Sequence, residues 1–499
     1  MTTTLNESQL DEEQRRLYEA AKQAKITVLQ IGEGNFLRGF FDWMLHECRK
    51  QGLYEGSIAV TQPRPGGKPK IDALAGQDGL YTLVIRGLEN GERVERTDVI
   101  SVFSSVFDPY SDWEKYLALA ENADLQVVVS NTTEAGLVYR PEELVEGQPI
   151  QSFPGKLTQL LYRRFTYFNG DPERGLVCLP CELLERNGDE LRSCVLRYSE
   201  DWGYPDAFKA WVMTHNRFLN SLVDRIVTGY PDEAQAASWF GEWGYSDPML
   251  STAEPYHLWA IEAEPELEKL LPLRAAGLNV HWVDDLSPFQ LRKVRILNGA
   301  HTLMTPLGLL QDLEQVREAM EHAALGPLVR TTVETEIIPT LAVDEAELRT
   351  YANDVYERFL NPFIRHRLAD IAMNSLSKFK VRLLPSLLHY AKAGKAAPSG
   401  LAQGFAGLLR YYKVVRAEGG FEGKTLSGAS YTVRDDAGML EIIAAVWTEA
   451  AEQRWTHEQT TRKLLGLTDI WGRDLAAEWP ALASAVAENI AEMERCANE

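Results

Sequence analysis

The stretch Ile26-Thr-Val-Leu-Gln-Ile31-Gly32-Glu33-Gly34-Asn35-Phe36-Leu37-Arg38-Gly39 begins as a buried strand and runs straight into a glycine turn. Phe40, Phe41, Met44 and Leu45 then recur at helical spacing. Strand, glycine turn and helix in this order make the setting in which a pyrophosphate meets a helix start. Gly32 permits the tight turn, and Gly34 lets a ligand approach the backbone. The usual third glycine is replaced by Leu37, so the fingerprint is incomplete.

Working outward, Ser57-Ile-Ala-Val60-Thr61-Gln62 reads as the second strand. An acid commonly ends this strand and reads the adenosine ribose; here Gln62 and then Arg64 stand in its place. The choice between NAD and NADP is therefore open on the residues alone. Gly66-Gly67-Lys68-Pro69 is expected to be a loop. Residues 81–86 and 94–102 read as paired strands joined through Glu89-Asn90-Gly91. Leu125–Ser130 is a further buried strand, ending in Asn131-Thr132-Thr133-Glu134-Ala135-Gly136, where a crevice opens in a doubly wound sheet. Helices are expected at 157–165, 190–199 and 205–228, with Asp224 and Arg225 near the end of the last. Strands are expected at 175–180, 255–262 and 278–284, the last two added to the N-terminal sheet or its extension.

From Ser287 onward almost everything reads as helix, with long amphipathic stretches at 313–341, 345–374, 382–392, 399–416 and 438–452. The expected architecture is α/β: a Rossmann-type dinucleotide-binding domain over 1–286 and a mostly α-helical substrate and catalytic domain over 287–499. The second part opens with Ser287-Pro-Phe-Gln-Leu-Arg-Lys293-Val-Arg-Ile-Leu-Asn298-Gly-Ala-His301-Thr302. Ser287, Pro288 and Gln290 form a helix-start signal, and Pro306 is expected to end or kink the helix. At about 100° per residue, Lys293, His301 and Asn298 fall within roughly 140° of arc. An amine, an amide and an imidazole then face one small ligand.

Composition narrows the partners. The net charge of −21 disfavours nucleic acid and anionic membranes, and no run approaches the length that spans a bilayer. Five cysteines at irregular spacing do not form a disulfide framework, and a reducing, cytoplasmic location is expected. The N-terminal residues lack the basic-then-apolar order of a secretory signal. Cys178-Leu-Pro-Cys181 has no second Cys/His pair at zinc-ligand spacing, so no metal is expected. One basic cluster, Lys378-Phe-Lys380-Val-Arg382, breaks the acidic background and suits an anionic substrate group.

The combination resembles the polyol-specific long-chain dehydrogenase family, that of mannitol dehydrogenase and the hexuronate reductases. Its hallmark is Lys-x4-Asn-x2-His, here Lys293, Asn298 and His301, with a cofactor loop Gly32-x-Gly34-x-Phe36-x-Arg38. Gln77–Thr82, Ser130–Gly136, Leu222–Tyr230 and Ile296–Thr302 also look like the hexuronate-reducing branch. The resemblance implies NAD as cofactor, contacted by Ile31, Gly32, Gly34, Asn35, Phe36, Leu37, Arg38, Gln62, Asn131 and Thr133. It implies Lys293, Asn298 and His301 as catalytic residues, without a metal, and Asp224 as a substrate contact beside the candidate carboxylate ligands Lys378, Lys380 and Arg382. The implied reaction is reversible reduction of the keto group of D-tagaturonate to D-altronate. The epimer D-fructuronate is the alternative, and a non-catalytic nucleotide-binding regulator is the rival from another class. In one respect the chain departs from mannitol 2-dehydrogenase: where that enzyme has an Asp-Asn pair, Glu182-Leu183 stands here, so the second oxyanion asparagine is missing. Oligomeric state is not legible.

Overall fold

A computed structural model describes residues 3–496. The chain divides into two compact units, Met1–Gly87 with Arg93–Leu286 and Leu88–Glu92 with Ser287–Glu499.

The first unit is built on six parallel strands: β1 (Ile26–Ile31), β2 (Ser57–Thr61), β3 (Phe103–Val106), β4 (Val127–Ser130), β5 (Val177–Pro180) and β6 (Arg217–Phe218). Their spatial order is β3-β2-β1-β4-β5-β6. The order reverses between β1 and β4, which makes their carboxyl ends the place where a crevice opens. Strand residues alternate between two cores. Val28, Ile58, Val60, Val127, Val129 and Leu179 pack on one face. Leu29, Ile31, Ala59, Val128 and Cys178 pack on the other. Gln30 interrupts the apolar run because its buried amide donates to the Gly32 carbonyl (2.9 Å) and to Asp42 (3.2 Å). That amide ties the glycine turn to the following helix, Phe41–Lys50.

Besides a two-stranded pair, 3–4 with 245–246, two smaller sheets belong to the unit. One holds 81–89 and 92–100 with 227–229 and 251–253; the other holds 221–224, 258–262 and 280–283. The strands expected at 255–262 and 278–284 are thus 258–262 and 280–283 and lie outside the main sheet, with 258–262 paired to 221–224 on one side and to 280–283 on the other. Two local expectations are corrected. The helix expected over 205–228 stops at His215 and gives way to short strands, which put Asp224 on a strand. Asn216 ends that helix by accepting the Leu176 amide (2.8 Å), a bond from distant sequence. Lys68 and Pro69 are not loop but the first turn of a helix, Lys68–Gly76, with proline at its favoured position.

The second unit is helical around the central helix Asn298–Leu310, which packs against Ser399–Tyr411. The helix passes through Pro306 and does not end there. The long helices expected over 313–341 and 345–374 are shorter in fact: 345–374 stops at Phe359, and 313–341 breaks into several pieces. Helix 399–411 is followed by a three-stranded antiparallel sheet, 414–417, 420–424 and 430–433, where helix to 416 was expected.

Gly32 has φ +132°, and a Cβ there would lie 2.8 Å from the Asn131 carbonyl oxygen. Gly32→Ala is therefore expected to cost roughly 1–3 kcal/mol. Urea unfolding of the variant beside the wild type measures it; equal midpoints would contradict the account.

Candidate functional site

The helix bearing the candidate catalytic residues changes its winding where they sit. Ser287–Arg292 is α-helical, Lys293–Leu297 is a π turn, and α-helix resumes at Asn298. The Asn298 amide donates to the Lys293 carbonyl, five residues back. An α-helix sets such residues about 140° apart, whereas an i→i+5 bond brings them nearly into line. Lys293 and Asn298 are half-buried and His301 is 7% exposed. Of the neighbouring arginines, Arg292 pairs with Glu347 (2.6 Å), and Arg295 donates to the Arg382 carbonyl (2.9 Å) and to Ser386.

Around His301 the helical unit gathers positive charge. Its ring packs 4.4 Å from Phe359 and, edge-on, 4.8 Å from His366. Its Nε2 is buried without a hydrogen-bond partner. Burial first, then His366, Arg382, Arg358 and Lys378, hold its pKa well below the ordinary imidazole value. Arg382 reaches Thr302 Oγ1 (3.1 Å), and that hydroxyl donates to the Asn298 carbonyl (2.9 Å). Lys378 donates to the Ile371 carbonyl (2.8 Å). Lys378 and Arg382 lie four residues apart on the helix Ser375–Arg382 and share a face. Lys380 falls on the other side of that helix and is not among the charges acting on His301. Arg358 and His366 were missed by the sequence reading. The one available signal was the short basic run Arg365-His366-Arg367 in an acidic chain.

In the first unit the glycine turn divides its labour. Ile31 and Leu37 bury their side chains in the two cores and leave only backbone to a ligand. Arg38, expected as a cofactor contact, is instead buried: it donates to the carbonyls of Glu33 (3.1 Å) and Met249 and to Asn35 Oδ1 (2.6 Å), and lies over the Tyr81 ring. Asn35 and Phe36 are half-buried on the short helix Asn35–Arg38, and a Cβ on Gly34 would meet nothing within 4 Å. Gln62 donates to Asp108 (2.6 Å), so it braces the neighbouring strand end.

After β4, Asn131 donates to the Cys181 carbonyl (2.7 Å), and exposed Thr133 takes a left-handed φ of +72°, costly for a β-branched residue. Buried Glu182 holds this loop by accepting from Ser130 Oγ (3.1 Å), the Thr132 amide (2.9 Å) and Thr132 Oγ1 (3.0 Å). Leu183 beside it is 67% exposed. Pro63, Arg64, Thr132, Thr133, Gly136 and Arg140 contribute to the wall of a cavity of about 520 Å³ at these strand ends. Fully buried Lys156, also missed, donates to the Pro63 carbonyl (2.6 Å) and to the Tyr110 hydroxyl; burial lowers its pKa to about 7. Asp224, buried, ends the strand 221–224. Cys178 and Cys181 belong to cores on opposite faces of the sheet and cannot converge on an ion. Among the described residues no three His, Cys, Asp or Glu side chains cluster as metal ligands, and no helix is long and apolar enough to cross a membrane.

Both units match family profiles: the mannitol dehydrogenase Rossmann domain over residues 26–274 and the mannitol dehydrogenase C-terminal domain over 285–494. The chain belongs to the mannitol dehydrogenase family. It is 41% identical over 477 residues to altronate oxidoreductase of Bacillus subtilis, covering 95% of this chain and 94% of that one. It is 40% identical to the altronate oxidoreductase of Pectobacterium carotovorum, over 94% of each chain. The fold is shared with D-sorbitol dehydrogenase (TM-score 0.75, 20% identity, 96% and 94% of the two chains). It is also shared with Pseudomonas fluorescens mannitol 2-dehydrogenase, solved with NAD and D-mannitol (TM-score 0.61, 21% identity, 96% and 94%).

His301 also gives the protein a pH signature. Unfolded, an imidazole takes up a proton near pH 6.5, while the folded ring resists protonation until well below that. Its contribution to stability is present above pH 6.5 and is lost as pH falls toward the folded value. Urea unfolding from pH 7 to 5 is expected to show a shallower loss of stability in His301→Gln than in the wild type; identical slopes would contradict this.

Proposed function

We propose that this member of the mannitol dehydrogenase family, an oxidoreductase of the CH–OH group, reversibly reduces D-tagaturonate to D-altronate with NADH. The observation that carries the reading is the cationic surround of His301, on the same helix as Lys293 and Asn298. An enzyme of neutral polyols has no use for so much clustered positive charge, whereas a sugar acid brings one carboxylate to it. The altronate oxidoreductases among its relatives support the choice of substrate.

A dinucleotide suits the first unit, where the glycine turn leaves open space at Gly34 and the cavity lies at the strand ends. The backbone of Gly32–Asn35 and the loop at Asn131 and Thr133 are its candidate contacts. Bound NADH supplies the hydride. Lys293, as an ammonium, donates a proton to the carbonyl oxygen as it gains negative charge, and as a neutral amine accepts the hydroxyl proton in the reverse direction. Asn298 donates its amide hydrogens to the same oxygen. His301, held neutral by burial, positions the substrate through its carbonyl or a neighbouring hydroxyl. Arg382 and Lys378, with Arg358 and His366 behind them, receive the carboxylate. Asp224 is a further substrate contact.

Lys293→Ala is expected to lower kcat by about 10²–10⁴ with a smaller change in KM. Turnover near the wild-type level would remove that role. Arg382→Ala is expected to raise KM for the uronate by about tenfold or more while leaving a neutral ketose such as fructose almost unaffected. NADH oxidation followed with tagaturonate, fructuronate and fructose in parallel tests the substrate, and a preference for fructuronate or fructose would overturn it.

A further inference from the structure

The acid that ordinarily reads the adenosine ribose is absent from the end of β2, where Gln62 stands. Two carboxylates remain near that strand end. Asp108 is fully engaged: it accepts from Gln62 (2.6 Å), Ser111 (2.5 Å) and the Tyr110 amide (2.9 Å), and lies 3.7 Å from Lys68. Glu33, in the middle of the glycine turn, is different. It is 5% exposed, and its Oε2 is buried with no hydrogen-bond partner.

It lies against Gly67. A Cβ placed on Gly67 would lie 3.0 Å from Glu33 Oε1 and 2.8 Å from the Gln62 Cβ. The carboxylate of the first turn and the side chain that ends β2 therefore meet over one glycine, just where the ribose of a dinucleotide lies in a doubly wound sheet. Arg64, exposed on the wall of the cavity, acts on Glu33 through its charge, as do Lys70 and Arg38. A buried acceptor without a partner is costly, and water, an ion or a ligand can complete it.

We propose that Glu33 is the residue that receives the adenosine ribose hydroxyls, replacing the missing acid of β2 and selecting NAD against NADP. A carboxylate accepts from a free 2′-hydroxyl and repels a 2′-phosphate, so one group supplies both the attraction and the exclusion. Arg64, which stands where an arginine would meet a 2′-phosphate, and Lys70 then serve to balance the charge of Glu33. This inference rests on the reading of the first unit as a dinucleotide site, but not on the identity of the sugar acid.

Calorimetry with adenosine diphosphoribose and its 2′-phosphorylated and 2′-deoxy forms tests it on the full-length protein, without turnover. The wild type is expected to bind adenosine diphosphoribose at least about tenfold more tightly than either analogue. In Glu33→Gln the gap to the 2′-phosphate is expected to narrow by about tenfold or more, with unchanged thermal stability as the control for folding. A wild type that binds the 2′-phosphate as well as the parent compound overturns the proposal even if the variant does not fold. So does a Glu33→Gln protein that folds and keeps the wild-type ratio. Binding of none of the three compounds would instead remove the dinucleotide reading itself, whereas loss of tagaturonate turnover alone would leave Glu33 in place.

Discussion

The contact between Gly32 and the Asn131 carbonyl sets the geometry of the first unit. The chain leaves β1 in a conformation that side chains avoid, and it does so against the backbone that leaves β4. No side chain fits between them. The two central strands of the sheet thus end at one point, and everything assigned to a dinucleotide is hung from it. Gln30 fixes the turn from below, Arg38 fixes the helix after it, and Glu182 fixes the loop across from it. Polar side chains that look like ligands in the sequence are used here as internal bracing, which leaves backbone and glycine to face the cavity.

The helical unit solves a different problem. The chain carries a net charge of −21, yet it buries an imidazole among guanidinium, ammonium and imidazole groups. Concentrating like charge costs stability unless an anion offsets it. Arg382 is partly satisfied by Thr302 and Lys378 by the Ile371 carbonyl, contacts that fix direction without cancelling charge. The unit is in this sense preorganised: neutral oxygens set the direction of Arg382 and Lys378 before a carboxylate arrives.

Much of this was legible because period and punctuation agree. The strand, turn and helix of 26–50 and the helical character beyond 287 follow from apolar spacing and glycine placement alone. What was not legible was decided by distant residues. Residues 216–230 carry Val223, Ile226 and Val227 at a spacing that also suits a helix, and only pairing with 258–262 and 251–253 makes strands of 221–224 and 227–229. The Gly419-Gly420 turn between 414–417 and 420–424 was a visible hairpin signal that the apolar run before it concealed. Arg38 was expected as a cofactor contact only through the family resemblance of the glycine turn. Its burial depends on Met249 and Tyr81, remote in sequence. Arg358 and His366 join the surround of His301 through tertiary folding, which no local pattern announces.

The π turn at 293–297 holds one residue more than an α-helix would place there. That residue is absorbed locally, so 298–310 keeps its phase and His301 its nest of cations, whereas one residue added to or removed from the regular helix on either side would swing everything beyond it by about 100° about the axis. The five-residue spacing of lysine and asparagine is thus bound to an irregular helix, and loops elsewhere can change length far more freely than the regular helix around this turn can.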